Sequence, residues 1–179
     1  MFEKIDAIDS KISKIIRMDH GDSPWWKLVT FFAHSGDSWF WLAGLLAALV
    51  LFPTRRSLAA FVIAAILGLA AVVMVVKFTV RRSRPPGEWG TVYRNTDPHS
   101  FPSGHAARAS MLAVIAVLSG PVWIAVLMVV WALLVSLSRV LTGMHYFSDI
   151  VAGILLGIAA GQFVVLIRPL LMTFLPTVF

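Results

Sequence analysis

The stretch that decides the fold is SLAAFVIAAILGLAAVVMVVKFTVRRSRP, residues 57–85. Its first twenty residues, 57–76, carry no charge; Lys77, Arg81, Arg82 and Arg84 then arrive within eight positions. Roughly 20 apolar residues suffice for a helix to cross the hydrocarbon core of a bilayer. The run therefore reads as a membrane span that ends in a cluster of cations. Two more uncharged runs follow, thirty residues at 109–138 and eighteen at 150–167. Only 13% of the chain is charged and its mean hydropathy is +0.84. A soluble domain carries about a quarter charged residues, so the composition excludes that class.

Working outward, the chain reads as an all-α, polytopic transmembrane helix bundle of five to six spans, led by an N-terminal amphipathic helix. Residues 1–22 form the amphipathic segment and 23–179 the transmembrane domain. In residues 1–18, Phe2, Ile5, Ile8, Ile12, Ile15 and Ile16 recur at helical spacing against Lys4, Lys11, Lys14 and Arg17. Such a helix lies in the membrane interface or packs on the protein itself. Glu3, Asp6 and Asp9 interrupt the segment, so it is not a secretory signal. Ser23-Pro24 is an N-cap and first helical position. The run to His34 is too short to span, and Gly36 ends it. Spans are expected at 38–54, 57–80, 104–119, 122–141 and 147–167, with a bent or re-entrant 24–53 as the alternative at the start. Arg168-Pro169 begins a short apolar tail. Gly153, Gly157 and Gly161 recur every fourth residue, and small residues in one row let helices approach closely in lipid. They serve either a dimer face or, as favoured here, packing within one bundle.

With alternating spans, the 81–103 connection and the turn at 142–146 lie on one side of the membrane. Lys77, Arg84, His105, Arg139 and His145 can then converge. Ionisable residues at such positions are functional by default. Lys77 and Arg84 offer a compact charge and a planar fork for phosphate oxygens; alone they read equally as snorkelling cations. Phe101-Pro102-Ser103-Gly104-His105 lies where a loop enters a helix, so the N–H groups of Ser103 and Gly104 are expected to face a phosphate oxygen. In SRVLTGMHYFSD, residues 138–149, His145 and Asp149 stand four apart. On one helix they would share a face, and the carboxylate would orient the imidazole as in a catalytic triad.

These three clusters, Lys-x6-Arg-Pro, Pro-Ser-Gly-His and Ser-Arg-x5-His-x3-Asp, occur in this order at span ends. In this the sequence resembles the type 2 phosphatidic-acid phosphatase superfamily of membrane lipid phosphatases. The motifs are matched by Lys77, Arg84 and Pro85; by Pro102, Ser103, Gly104 and His105; and by Ser138, Arg139, His145 and Asp149. The resemblance covers about residues 57–167; the N-terminal third matches no motif, and six spans are common in the family where five are counted here. It implies that His145 attacks phosphorus to give a phosphohistidine. Asp149 fixes its tautomer, and His105 protonates the leaving oxygen and then helps activate water. Lys77, Arg84, Ser103, Gly104 and Arg139 bind the phosphoryl oxygens. No metal or other cofactor is expected, because the cations fill the electrostatic role and no acidic cluster suited to magnesium is present.

The expected substrate is a lipid phosphate or diphosphate whose tail stays in the bilayer. The favoured one is a polyprenyl diphosphate such as the undecaprenyl carrier, with phosphatidylglycerol phosphate, phosphatidic acid and lipid A as alternatives. A phosphotransferase and a lipid or anion transporter are the rivals. The apolar spans argue against the haloperoxidase activity of soluble proteins sharing the motifs. The net charge of +6 suits anionic headgroups; no pattern suggests nucleic acid, and the oligomeric state is left open. Arg81, Arg82, Arg94 and Arg108 are additional cations near the pocket, for a second phosphate, a headgroup or solvent. His20, His34 and His99 fit no motif. Charge does not decide sidedness: Arg81, Arg82 and Arg94 on the site side balance Arg55, Arg56 and Arg168 on the other. The resemblance implies a multi-pass protein of the inner (cytoplasmic) membrane with its site on the extracytoplasmic face.

Overall fold

The computed structural model describes residues 3–18, 21–86 and 97–174. Among the described residues seven α-helices follow one another: α1 Glu3–Ile16, α2 Pro24–Ser35, α3 Ser38–Leu51, α4 Arg56–Val80, α5 Gly104–Ser119, α6 Val122–Leu141 and α7 Phe147–Phe174. A single 3-10 turn, Pro53–Arg55, joins α3 to α4. Local sequence sets the boundaries. Ser23 caps α2 by accepting from the Trp26 N–H at 3.2 Å, with Pro24 in the first turn. Gly36 closes that helix. Arg81 ends α4 in a left-handed conformation, φ 53°. Gly120-Pro121 separates α5 from α6.

Three segments are long and apolar enough to cross a membrane: Pro53–Val80, Val122–Leu141 and Phe147–Phe174. Ser38–Leu51 and Gly104–Ser119 are shorter apolar helices. The last helix differs from expectation. It does not stop near residue 167 but runs through Pro169 to Phe174. Proline removes one helical hydrogen bond; beyond it the Thr173 hydroxyl donates to the Pro169 carbonyl at 3.0 Å, and Leu171 still packs on the core.

The centre of the bundle is α5. Its Ala106, Ala107, Ala109 and Met111 are wholly buried. Against it lies the glycine row of α7. A Cβ at Gly153 would stand 2.6 Å from the Ser103 carbonyl oxygen, and one at Gly157 would collide with the Ala107 carbonyl. The row thus serves packing inside one bundle, as favoured. Phe61, Ile66, Leu69 and Val73 of α4 complete the core. Outside, Val75, Leu127, Leu155 and Leu166 are exposed. This is the inverse of a soluble surface and suits lipid.

Helix α1 packs on the protein, but by its polar side. Asp9 and Ser13 are buried, while Ile8 and Ile15 are 61% and 84% exposed. The Met18 N–H bonds the Leu141 carbonyl at 3.0 Å, and Ile16 adds to a cluster of Ala106, Val140 and Ile150. These contacts seat α1 at the end of the bundle where α6 stops and α7 begins.

Candidate active site

That same end gathers the ionisable residues. Lys77 lies in the last turn of α4, and the chain then doubles back: the Ser100 N–H bonds the Arg82 carbonyl at 2.9 Å, and Ser83 pairs with His99. The return places Asp97 over Lys77, which donates from Nζ at 2.7 and 2.6 Å to its two carboxylate oxygens. Arg84 donates to the same carboxylate from Nη2 at 2.9 Å and to the Met144 carbonyl at 3.0 Å. Its Nη1 is also 3.3 Å from Nε2 of His145. One carboxylate thus sits in the fork of two buried cations, with an imidazole nitrogen alongside.

His145 occupies the bend between α6 and α7 and is buried. Its other ring nitrogen, Nδ1, is 3.5 Å from Oδ2 of Asp149. That oxygen also accepts from the Tyr146 N–H at 2.9 Å, and Oδ1 accepts from Arg82 at 2.6 Å. The two side chains thus face each other at ion-pair distance although His145 precedes the helix, but Nδ1 makes no hydrogen bond to the carboxylate. Burial above all, then Arg84, Arg139 and Lys77, pushes the imidazole well below its ordinary pKa. That shift favours the neutral ring, and Nε2 faces the Arg84 Nη1 group, an N–H donor.

His105 stands in the first turn of α5, and its Nε2 is 2.6 Å from Oδ1 of Asp37. Asp37 lies between α2 and α3 and also meets Nδ1 of His34 at 3.3 Å. Burial opposes ionisation of Asp37, but the hydrogen bond and charge of His105 hold its carboxyl down at about 2. Arg139 is wholly buried and donates to the Ala33 carbonyl at 3.2 Å. Lys77, Gly104, His105, Arg108 and His145 line one cavity of about 470 Å³, together with Asp37 and Asp97. Its remaining wall is the apolar side of α4, with Ile66, Leu69, Val73 and Met74.

The expected residues thus converge, with one change of part. Ser103 is buried, and its N–H donates to the Asp149 carbonyl at 3.0 Å, not toward the cavity. Its hydroxyl caps α5 by accepting from the Ala106 N–H. The residue locks α5 to α7, because two helices meeting this closely satisfy each other's end groups; Gly104 is left on the cavity wall. Of the additional cations, Arg81 points back to the Phe78 carbonyl, and Arg94 lies outside the described residues. Arg108 enters the cavity wall. Arg82 lies behind the site, where it binds Asp6, Asp9 and Asp149 at 2.6, 2.7 and 2.6 Å. Asp37, Asp97, Asp6 and Asp9 escaped the sequence reading. Asp37 alone had a signal there, as the residue between two helices in Gly36-Asp37-Ser38.

The model of the PAP2 superfamily matches residues 58–172. An undecaprenyl-diphosphatase of Sulfolobus acidocaldarius is 35% identical over 139 residues, 73% of this chain and 64% of that protein. The chain thus spans a little under two thirds of that relative's length. A decaprenylphosphoryl-5-phosphoribose phosphatase of Mycobacterium tuberculosis is 34% identical over 69% of each chain. In fold, the chain is similar to a PAP2-type phosphatidylglycerolphosphate phosphatase of Bacillus subtilis. The TM-score is 0.75 at 23% identity, over 93% of this chain and 87% of that one. It is also similar to LpxE of Aquifex aeolicus, with TM-score 0.68 at 22% identity over 87% and 93%.

Proposed function

The chain belongs to the PAP2 superfamily, and we propose that it is a membrane lipid phosphatase acting through a phosphohistidine on His145. One observation carries this reading: Lys77 and Arg84 share a carboxylate, and Arg84 reaches Nε2 of His145 at 3.3 Å with its other terminal nitrogen, so an anion site is already built around a cation that touches the imidazole. A phosphoryl group in place of Asp97 would meet Nε2. The nitrogen forms a bond to phosphorus as the ester oxygen departs with a proton from His105. Asp149 holds Nδ1–H and offsets the positive charge that the ring acquires. In the second step water attacks phosphorus, His105 takes its proton, and His145 is released. Cations fixed in a dry site supply the larger part of such catalysis.

The substrate class follows from the cavity. Its phosphate end is cationic and its α4 wall is apolar, which suits a headgroup whose tail remains in lipid. Both curated relatives are named for polyprenyl lipids, which favours a polyprenyl diphosphate over a glycerolipid phosphate. The protein is multi-pass. Five crossings, α3 to α7, fit the contacts: α4 ends at the site, so α3 starts there. At 14 and 16 residues, α3 and α5 would span only about 21 and 24 Å, a mismatch that local thinning of the bilayer accommodates. Helix α1 then lies in the interface on the site's own side, which by the family resemblance is outside the cytoplasm.

The test is phosphate release from purified lipid phosphates in detergent, with undecaprenyl diphosphate, phosphatidylglycerol phosphate and phosphatidic acid side by side. Release is expected from at least the first, without an added acceptor. His145→Ala should abolish it while the thermal unfolding midpoint holds. Turnover retained in that variant would remove His145 as nucleophile. Transport without hydrolysis in liposomes would overturn the enzymatic reading.

A further inference from the structure

Asp37 belongs to no motif and lies in the part of the chain that the family model leaves unmatched, 58–172 being its extent. Its placement is nevertheless unusually well fixed. It occupies the N-cap of α3, where an Asp ordinarily turns its carboxylate onto the helix's own N–H groups. Here it makes no such bond. The carboxylate reaches across to α5, with Oδ1 at 2.6 Å from Nε2 of His105. The residues on either side are tied to the same helix. Arg108, one turn after His105, donates from Nη1 to the Gly36 carbonyl at 3.0 Å and to the Ser38 hydroxyl at 2.6 Å. Gly36 presses its backbone so close that a Cβ there would stand 2.8 Å from Val135 and 3.2 Å from the His105 ring. Three consecutive residues are thus moulded onto one turn of α5, and the outcome is a carboxylate on one imidazole nitrogen.

We propose that Asp37 is the positioning residue of His105, holding its ring so that the opposite nitrogen, Nδ1, carries the proton for the leaving oxygen. The proposal rests on the phosphatase reading above. The electrostatic need is plain. Arg108 and Lys77 line the cavity with His105. Cations that bind phosphate well expel a proton from a neighbouring histidine. A carboxylate on the far nitrogen offsets them, just as Asp149 backs His145. Each histidine thus faces a carboxylate, one from the first turn of α7 and one from the turn between α2 and α3. In the first step the Nδ1–H bond of His105 breaks, an O–H bond forms on the leaving group, and the phosphorus–oxygen bond gives way to phosphorus–Nε2 on His145. In the second step the proton returns to Nδ1 from the attacking water. No other reactant is consumed.

The reaction should betray this role through its leaving group. An alkoxide needs the acid's proton, whereas 4-nitrophenolate leaves with little help. We therefore expect Asp37→Asn to lower kcat for alkyl phosphate esters about 100-fold or more, within the usual range for general acid catalysis. Loss on 4-nitrophenyl phosphate should stay below about tenfold, KM should change little, and Asp37→Glu should recover part of the loss. Orthovanadate, a phosphate-shaped anion, should still inhibit Asp37→Asn, showing a folded anion site. Equal loss at both ends of the ester series, no loss at all, or loss of vanadate inhibition would overturn the role while leaving the phosphatase reading intact. If the unaltered protein released phosphate from no ester, both would fall.

Discussion

In the proposed mechanism Asp97 occupies the cations that would hold the substrate's phosphoryl group, and replacing it with asparagine should tighten the binding of anions. The carboxylate receives two bonds from Lys77, at 2.7 and 2.6 Å, and one from Arg84 at 2.9 Å. Hydrogen bonds to charged groups contribute about 1.5–3 kcal/mol each. With the Asp97 side chain 32% exposed, solvent screening favours the low end of that range. Counting the two cations once each gives roughly 3 kcal/mol for the occupied arrangement, from which the ordering of the returning chain subtracts about 1 kcal/mol. A net preference of about 1.4–2.8 kcal/mol leaves the binding-competent state populated at 1 part in 10 to 100, and apparent affinity falls by that factor. Asp97→Asn keeps the shape and the backbone bond from Arg84 to the residue 97 carbonyl but removes the charge. The inhibition constant for orthovanadate should therefore drop about 10–100-fold, measured against phosphate release at fixed ionic strength. An unchanged or raised constant would refute the competition and make Asp97 a binding residue in its own right.

Three further outcomes follow from the charges at this end of the bundle. In the proposed mechanism His145 must be neutral to attack; its pKa lies well below the ordinary value of about 6.5, so the acid limb of kcat/KM that belongs to His145 should fall below pH 6.5. Because Arg84 is one cause of that depression, Arg84→Gln should move the acid limb upward as well as raise KM; a limb that stays in place would detach Arg84 from the imidazole. Arg82→Ala would leave Asp9 and Asp149 buried without their cation. Loss of one partner of a buried pair costs about 3–5 kcal/mol, visible as a lowered unfolding midpoint in detergent, and an unchanged midpoint would exclude a structural role for the cluster.

The legibility of the sequence followed the range of its signals. Uncharged runs specify spans because lipid forces every backbone group into a helix, so α4 and α6 could be bounded, and the start of α7 placed, from composition alone. Lys77, Arg84, His105, Arg139 and His145 were legible because they sit at the ends of those spans, and alternation brings span ends together. Pro169 misled because a helix-breaking residue in water is tolerated in a membrane helix. Ser103 misled for another reason. A loop-to-helix junction exposes N–H groups in general, but here α7 lies so close that the Asp149 carbonyl takes one of them. The acidic residues were invisible because their partners are remote: Asp37 meets His105 across 68 positions and Asp9 meets Arg82 across 73. Neither pairing has a period or a spacing to read.

Those acidic residues explain why an N-terminal segment without motifs stays attached to the site. Arg82 alone faces three carboxylates, Asp6, Asp9 and Asp149, and the Ser148 hydroxyl bonds Asp9 from the first turn of α7. The orienting carboxylate of His145 is thereby tied to α1 through one guanidinium. Meanwhile α1 keeps Ile8 and Ile15 outward, an arrangement wasteful in water but favourable against acyl chains. Its carboxylates brace the end of the bundle where His145 stands, and we propose that its exposed isoleucines meet lipid. By the same logic α2 and α3 deliver Asp37 to the other histidine. The first third of the chain, silent by motif, supplies a carboxylate or its anchor to each of the two imidazoles on which the chemistry turns.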